Sequence, residues 1–277
     1  MVDLHVHSTF SDGTLTPTEL ISQAEEAGLS ALALCDHNTV AGLPEFLDAA
    51  RGRAIEAVPG VEFSTEYEGT ELHILGLFPA PEHYAAITEL LNEALKRKEL
   101  SNRQLIDGLN STGMHLDYDE ISAGNPGGFV NRAVIAAEMV RLGYVSSVKE
   151  AFSQWLSEKR GYYHPAKRLD SFETIRFIRS IGCVAVLAHP FLNLQEAPLR
   201  QFLSRAVTEG LNAMETCYSE FDEETTLLAK QITGEFGLLE SGGSDFHGDN
   251  KPHIRLGIGK GNLSVPESFL VNLKKQI

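Results

Sequence analysis

Short apolar runs separated by polar turns occupy the first and last parts of the chain. Residues 29–35 form one such run, typical of a strand buried on both faces of a parallel sheet, and residues 2–6 are predicted to form a short strand. Between them, Thr16-Pro17-Thr18-Glu19 combines an N-cap residue, a proline at the first helical position and a reciprocal glutamate. This pattern predicts a strand, a helix that ends near Gly28, and a second strand.

The same alternation continues along the chain. Further strands are predicted at residues 55–63, 72–78, 183–188, 211–217 and 238–241. Helices are predicted near residues 45–51, 199–208 and 222–236, and Asp170 with Glu173 predicts the start of another. About seven strands that alternate with helices indicate an α/β, barrel-like domain.

The segment from about residue 83 to 160 has helical periodicity and no convincing strand. Its predicted helices cover residues 83–109, 129–142 and 148–156, and Gly124-Asn125-Pro126-Gly127-Gly128 breaks the pattern between the first two. We therefore expect a helical subdomain at residues 81–165, inserted into a barrel made of residues 1–80 and 166–277.

Composition and charge narrow the classes of function. The 277 residues are 43% hydrophobic, enough for a full core, and 23 basic against 38 acidic residues give a net charge of −15. This charge disfavours a long nucleic-acid or membrane surface, whereas a small anionic ligand remains possible if positive charge meets it locally. We expect a cytoplasmic protein whose cysteines, Cys35, Cys183 and Cys217, are reduced core thiols. Oligomeric state is not predicted.

Candidate metal ligands follow the predicted strands. His5 and His7 are two apart in a strand, so both side chains lie on one face, and Asp12 follows in the next loop. Alone, this pair fits a hydrogen-bonded structural pair equally well. However, other histidines and carboxylates also lie in or at the ends of predicted strands: Asp36, His37, Glu62, His73, His189, Asp245 and His247. Because strand ends of parallel α/β folds meet at one rim, we expect these side chains to converge there.

Histidine with carboxylate and no cysteine suits Zn²⁺, Mn²⁺ or Fe²⁺, and ten candidate ligands exceed the needs of one ion. Two or three ions are therefore expected, with Mn²⁺ first among them. Such a cluster can activate water near pH ~7 and hold phosphate oxygens despite the negative charge of the whole protein.

Five motifs carry a family resemblance: Asp3-Leu4-His5-Val6-His7-Ser8 with Ser11-Asp12-Gly13, Asp36-His37-Asn38, Gly60-Val61-Glu62, Ala188-His189-Pro190 and Ser244-Asp245-Phe246-His247-Gly248. In order and number they resemble the motifs of the PHP (polymerase and histidinol phosphatase) family. The resemblance implies a distorted (βα)₇ barrel that holds three metal ions and hydrolyses phosphate esters. The insertion after the fourth strand resembles that of members acting on nucleotides and related small monoesters.

The resemblance also implies a set of ligands. It assigns His5, His7, Glu62 and Asp245 to one ion, Glu62, His73 and His189 to a second, and Asp12, His37 and His247 to a third. Asp12, His37, Glu62 and His247 are expected to serve catalysis as well. Asp36 is expected to orient a histidine, and the general acid is not identified.

Substrate binding is expected in the insertion. Arg132 lies in a segment that resembles the family's Gly-Arg-Pro-His stretch, although Asn131 replaces the glycine and Val134 stands where histidine is usual. A guanidinium matches phosphate geometry well. Lys167 and Arg168 are further candidates for binding a phosphate.

The leading prediction is a metal-dependent phosphoesterase that hydrolyses a nucleoside monophosphate or 3′,5′-bisphosphate by attack of a hydroxide bridging two metals. Enzymatic alternatives are a 5′–3′ exonuclease on short oligonucleotides, a histidinol-phosphate phosphatase and an amidohydrolase-type barrel. The last typically has a bridging lysine, whereas Glu62 occupies that place here. The alternative without catalysis is a metal-stabilised binding module.

Overall fold

A computed structural model describes residues 1–124 and 130–277, so most of the predicted breaker, from Asn125 onward, lies outside the described residues. The described chain forms two compact units. The barrel unit comprises Met1–Thr88 and Leu169–Ile277, and the helical unit comprises the described part of Glu89–Arg168. No helix within the described ranges is long and apolar enough to cross a membrane.

The barrel unit is built on one sheet of eight strands. These are β1 (Val2–Val6), β2 (Ala31–Leu34), β3 (Glu56–Tyr67), β4 (Thr70–Leu77), β5 (Leu169–Asp170), β6 (Val184–Leu187), β7 (Ala213–Tyr218) and β8 (Leu239–Gly243). The strand order is β1-β2-β3-β4-β6-β7-β8, with the short β5 paired to β3. A bridge between Val6 and Phe246 links the first strand to the end of the last, so the sheet nearly closes. The predicted α/β fold, a distorted seven-stranded barrel with a helical insertion, is confirmed.

Ten α-helices lie within the described residues: α1 (Pro17–Glu26), α2 (Leu43–Ala49), α3 (Tyr84–Asn110), α4 (Tyr118–Gly124), α5 (Arg132–Arg141), α6 (Val148–Ala151), α7 (Ser171–Ser180), α8 (Glu196–Ala206), α9 (Glu223–Glu235) and α10 (Glu267–Lys274). The predicted capping box is present, because Thr16 Oγ1 accepts from Glu19 N while Glu19 Oε2 accepts from Thr16 N. Asp170 likewise accepts from two backbone amides and begins α7. Local side-chain chemistry therefore sets both helix starts.

The sheet is not parallel throughout. β3 and β4 form a hairpin, and β4 runs antiparallel to both β3 and β6. Two residues, Glu68 and Gly69, make the turn with φ of 48° and 79°. Positive φ at both central residues is what the type I′ turn requires, and this turn matches the twist of the flanking strands.

A cluster of buried apolar side chains forms the core of the barrel unit. Leu75, Val186 and Val58 belong to this core, and α10 packs Phe269 and Leu273 against it. Burying one such side chain contributes about 1.5–3 kcal/mol. The three cysteines are free and buried, as predicted.

The helical unit has its own apolar core, in which Leu105, Leu109, Ile135 and Met139 are fully buried. Three details differ from the predicted helices. The helix predicted to begin at residue 129 begins at Arg132 within the described residues, helix α4 was not predicted, and the helix predicted at 148–156 changes to a π-turn at Phe152–Leu156.

Candidate metal centre

Strand β1 places His5 and His7 on one face, as their spacing predicts. Both side chains are fully buried, and their Nε2 atoms lie 3.1 Å apart. Two imidazole nitrogens this close cannot both carry a proton without repulsion. A single proton or a single metal ion between the two nitrogens would remove this repulsion.

Glu62 lies at the middle of the cluster. Its carboxylate oxygens lie within 3.3 Å of ring nitrogens of five histidines: His5, His7, His37, His73 and His189. Oε2 faces the first three and Oε1 faces the last two. One fully buried carboxylate is thus shared between two sets of histidines, as a bridging ligand would be.

The hairpin explains how His73 reaches this cluster. Glu62 is not at the end of β3, because the strand continues to Tyr67, and His73 on β4 pairs with Ser64 two residues further along. Asn38 holds this region in place: its side chain bonds to both the amide and the hydroxyl of Ser64. Antiparallel pairing rather than a parallel strand end therefore brings His73 to Glu62.

Asp12 faces Nδ1 of His7, whereas Glu62 faces Nε2 of the same ring. Its oxygens lie 3.2 Å from His247 Nε2, 3.8 Å from His37 Nε2 and 3.9 Å from His7 Nδ1. The Asp12 side chain is 49% exposed, whereas the other carboxylates of the cluster are buried. This side of the cluster is therefore open to solvent.

The nine predicted ligands fall into four overlapping groups, within which the ligand atoms lie less than 4.8 Å apart. The groups are His7-Asp12-His37-His247, His5-His7-Asp245, His5-Glu62-His189 and His37-Glu62-His73. The sequence-based assignment of individual ions stays a prediction, but the structure brings every one of its residues together.

The donor set fits divalent cations. Four buried atoms of the cluster have no hydrogen-bond partner among the described residues: His7 Nδ1, His37 Nδ1, Glu62 Oε2 and His73 Nδ1. Two of these nitrogens lie only 2.9–3.0 Å from a Glu62 oxygen, yet without hydrogen-bond geometry. An unpaired buried polar atom costs about 1–3 kcal/mol. Cations bound between these lone pairs would remove that cost.

The charges of the cluster also favour cations. Burial alone would raise the pKa of Glu62, but the surrounding histidines hold it well below its ordinary value. Burial would lower the pKa of His73, but Glu62 raises it to about 10. The pKa of His5 is raised for the same reason, by Glu62 and Glu215. The negative charge of Glu62 thus favours a positive charge on its histidine neighbours, and divalent ions would supply positive charge at the same place.

Glu215, on β7, supports the cluster from behind. One of its oxygens accepts from His5 Nδ1 at 3.0 Å, and the other accepts from the backbone amide of His189 at 2.7 Å. A carboxylate in this position fixes the tautomer of a ligating histidine and increases its basicity. Glu215 was not among the predicted ligands. Its position at a predicted strand end was the available signal.

Asp36 does not orient a histidine, so that expectation is wrong. Its carboxylate accepts from Ser8 N and Ser8 Oγ at 2.8 and 2.6 Å, and from Ser11 Oγ at 2.6 Å. These bonds hold the loop between His7 and Asp12. Asp36 therefore acts on the site through the backbone that carries Asp12.

Backbone strain accompanies two of the candidate ligands. His189 has φ of 27° and Asp245 has φ of 54°, in a region that residues with a side chain rarely adopt. Such conformations cost of order 1–3 kcal/mol and persist where the surrounding structure enforces them. His189 lies two residues after the end of β6 and Asp245 two residues after the end of β8, and their side chains lie in the cluster.

The predicted substrate-binding cations all lie in the helical unit. The Arg132 guanidinium stacks 4.1 Å from the centre of the Tyr163 ring, and its Nη1 donates to Leu156 O. Asn131, which replaces the usual glycine, caps helix α5 by accepting from Val134 N. Contact of Arg132, Lys167 or Arg168 with substrate stays a prediction.

Comparison with known proteins agrees with this geometry. The model of the PHP domain matches residues 3–163, more than half of the chain. The chain belongs to the PHP family. Curated relatives match this chain over nearly their whole length. It is 35% identical over 246 residues to a 5′-3′ exoribonuclease of Haemophilus influenzae, covering 88% of this chain and 89% of the relative.

A second PHP relative is the 3′,5′-nucleoside bisphosphate phosphatase of Chromobacterium violaceum, 31% identical over 249 residues, with 89% of this chain and 87% of the relative covered. Among solved structures, a candidate metal-dependent phosphoesterase of Bifidobacterium adolescentis superposes with a TM-score of 0.79 at 26% identity. That match covers 99% of this chain and 96% of the other. Hydrolysis of phosphate esters is common to the names of all three proteins.

Proposed function

We propose that this PHP protein is a metal-dependent phosphoesterase that hydrolyses the phosphate ester of a small nucleotide. The observation that carries the proposal is the set of four overlapping ligand groups around Glu62. A site for a single structural ion would need only four of these residues. Several ions close together fit phosphoryl transfer, in which charge develops on the attacking, leaving and equatorial oxygens.

We assign His5, His7, Glu62 and Asp245 to one ion, Glu62, His73 and His189 to a second, and Asp12, His37 and His247 to a third. Imidazole and carboxylate ligands suit Mn²⁺, with Zn²⁺ and Fe²⁺ as alternatives. Divalent ions held here would offset the charge of the phosphoryl oxygens and activate water at neutral pH.

The residues of this chain supply position and access. Glu62 holds two sets of histidines at one point, and Glu215 fixes His5 and His189 behind them. The exposed side of Asp12, beside His37 and His247, is where we place the entering phosphate. Asp12, His37, Glu62 and His247 would therefore lie closest to the reacting atoms.

The substrate class rests on the similarity to the bisphosphate phosphatase of C. violaceum and on the strong negative charge of the chain, which disfavours long nucleic acids. The similarity to the exoribonuclease of H. influenzae favours a second candidate, removal of nucleotides from the 5′ end of short RNA. Both reactions use one metal centre, and they differ in whether a monoester or a diester is cleaved. A histidinol-phosphate phosphatase is a further alternative.

The test is a product analysis with Mn²⁺-loaded protein. Nucleoside monophosphates, 3′,5′-bisphosphates, histidinol phosphate and short 5′-phosphorylated RNA are supplied separately, and release of phosphate and of mononucleotides is measured. We expect phosphate to be released from a nucleotide by the unaltered protein, and we expect this release to disappear in His7→Ala. Mononucleotides from RNA alone would establish the second candidate. No turnover of any ester, despite bound Mn²⁺, would reject the proposal and favour a binding module.

A further inference from the structure

Asp245 has an asymmetric environment that the ligand assignment does not explain. Its Oδ1 faces the cluster, 3.2 Å from His7 Nε2 and 3.4 Å from His247 Nδ1. Its Oδ2 faces away and accepts two hydrogen bonds, one from the Tyr218 hydroxyl at 2.8 Å and one from Lys251 Nζ at 2.6 Å. Only one of the two oxygens is thus available to a cation.

Lys251 is placed by a segment that is itself fixed. Gly248 before it has φ of 62°, and a Cβ there would lie 2.0 Å from Thr14 Oγ1. The same hydroxyl accepts from Asp249 N, and Asn250 Nδ2 donates to Asp12 O. The lysine backbone is therefore attached to the loop that carries Asp12.

Burial makes the Lys251 contact more than a surface ion pair. An exposed pair contributes little because water competes for both charges. Here the Asp245 side chain is only 6% exposed, and that of Lys251 is 36% exposed. Tyr218 completes the contact from a buried position, and its ring lies 5.3 Å from that of His189.

We infer that Lys251 is a positioning residue which, together with Tyr218, holds Asp245 so that Oδ1 alone coordinates metal. By occupying Oδ2, the two donors prevent the carboxylate from rotating or from binding an ion through both oxygens. Supporting contacts of this kind typically change metal affinity by about 10–100-fold. This inference rests on the proposed function for the metal centre.

Lys251→Met removes the ammonium group and keeps most of the stem, whereas Lys251→Arg keeps a donor. Lys260→Met is the matched control, because Lys260 is a half-exposed lysine that pairs with Glu220 and not with Asp245. Tyr218→Phe removes the second donor and keeps the ring. Mn²⁺ is titrated into each metal-free protein, free Mn²⁺ is followed by electron paramagnetic resonance, and thermal unfolding verifies the fold.

We expect the free Mn²⁺ concentration at half-occupancy of the site that contains Asp245 to rise about 10–100-fold in Lys251→Met. In Tyr218→Phe it should shift in the same direction. Lys251→Arg should stay within a few-fold of the unaltered protein, as should Lys260→Met. At saturating Mn²⁺, the activity of Lys251→Met should approach that of the unaltered protein, and its KM for the substrate should be unchanged.

Two results would overturn the inference while leaving the proposed function intact. One is Mn²⁺ binding by Lys251→Met that equals that of Lys260→Met. The other is normal Mn²⁺ binding with a raised KM, which would make Lys251 a substrate contact. If the unaltered protein binds none of Mn²⁺, Zn²⁺ and Fe²⁺, the proposed function fails and this inference fails with it.

Discussion

The barrel unit buries histidines and carboxylates at its centre, whereas the helical unit buries almost only apolar side chains. Around Glu62, buried nitrogen and oxygen atoms lack hydrogen-bond partners among the described residues. In the helical unit, by contrast, the buried amide of Asn102 donates to Val130 O, and Arg132 rests on Tyr163. Unpaired polar atoms lower stability, so their concentration in one unit indicates where function requires them.

This difference predicts that substitutions in the two units act on different quantities. In the barrel, replacing a polar side chain of the cluster should reduce metal binding and turnover first. In the helical unit, the apolar core determines stability, and only a residue that contacts substrate should affect kinetics.

The largest effect is expected for Glu62→Gln. The amide keeps the size of the side chain but removes the charge shared by five histidines. We expect kcat to fall by about 1,000-fold, a loss typical of removing one well-placed electrostatic group. Glu56→Gln on the same strand, where Glu56 pairs with Lys274, is the control and should be neutral. Near-normal turnover by the Glu62 variant would contradict a bridging role.

A large change in stability without loss of metal is expected for Leu109→Ala. This side chain is fully buried in the apolar core of the helical unit, and its truncation should lower the free energy of unfolding by about 2–5 kcal/mol. Bound Mn²⁺ per chain should not change. The matched barrel variant, Leu75→Ala, truncates a core residue directly paired with Glu62 and should reduce both quantities. If Leu109→Ala also lost metal, the two units would not be separable in this way.

An intermediate effect is expected for Glu215→Gln. The variant keeps the size of the side chain but removes the charge that orients His5. The Mn²⁺ concentration for half-maximal activity should rise by about 10–100-fold. Glu240→Gln, next to it on β8, replaces a carboxylate that accepts from Thr216 Oγ1 and serves as the control. Equal metal dependence of both variants would show that Glu215 has only a structural role.

A smaller kinetic effect is expected for Arg132→Met in the helical unit. If the guanidinium binds substrate phosphate, KM should rise about tenfold, equivalent to about 1.4 kcal/mol, with kcat unchanged. Arg103→Met is the control, since Arg103 pairs with Glu99 and Asp119 on the surface of the same unit. An unchanged KM would indicate that Arg132 makes only structural contacts, such as those with Tyr163 and Leu156 O.

The smallest effect is a pH dependence of the metal-free protein. Burial alone would lower the pKa of His73, but Glu62 raises it from 6.5 to about 10. A raised histidine pKa stabilises the fold fully below 6.5, and this contribution disappears as pH rises toward 10. The melting temperature should therefore fall by a few degrees over that interval. Mn²⁺ should reverse the trend, because neutral imidazole binds the ion. A flat profile without metal would contradict the His73–Glu62 contact.

Features encoded by neighbouring residues could be predicted from the sequence. Thr16 with Glu19, and Asp170, set helix starts through bonds that span two or three residues. The pair His5 and His7 shares a face because strand geometry alternates. Positions in or at the ends of predicted strands indicated the remaining candidate ligands, and all of them except Asp36 lie in the cluster.

Features that depend on distant contacts could not be predicted. An apolar run has no direction, so the antiparallel course of β4, which brings His73 to Glu62, was not evident. Glu215 contacts His5 across 210 positions of the chain, and no local pattern marks such a pair. Asp36 was expected to orient a histidine because it would point away from His37 if the strand continued. Strand alternation did not predict that the Ser8 amide and the Ser11 hydroxyl donate to its carboxylate.

The link between β1 and the loop after β8 has a consequence for how the protein is made. Asp3 accepts hydrogen bonds from Ser244 and Gly257, and Asp245 N donates to His5 O. The candidate ligands themselves extend from residue 5 to residue 247. During synthesis, His5 and His7 leave the ribosome long before their partners, and closing so long a loop is slow. The complete site can therefore form only after residue 247 has been translated, whereas His37, Glu62 and His73 are all present once residue 73 has been translated.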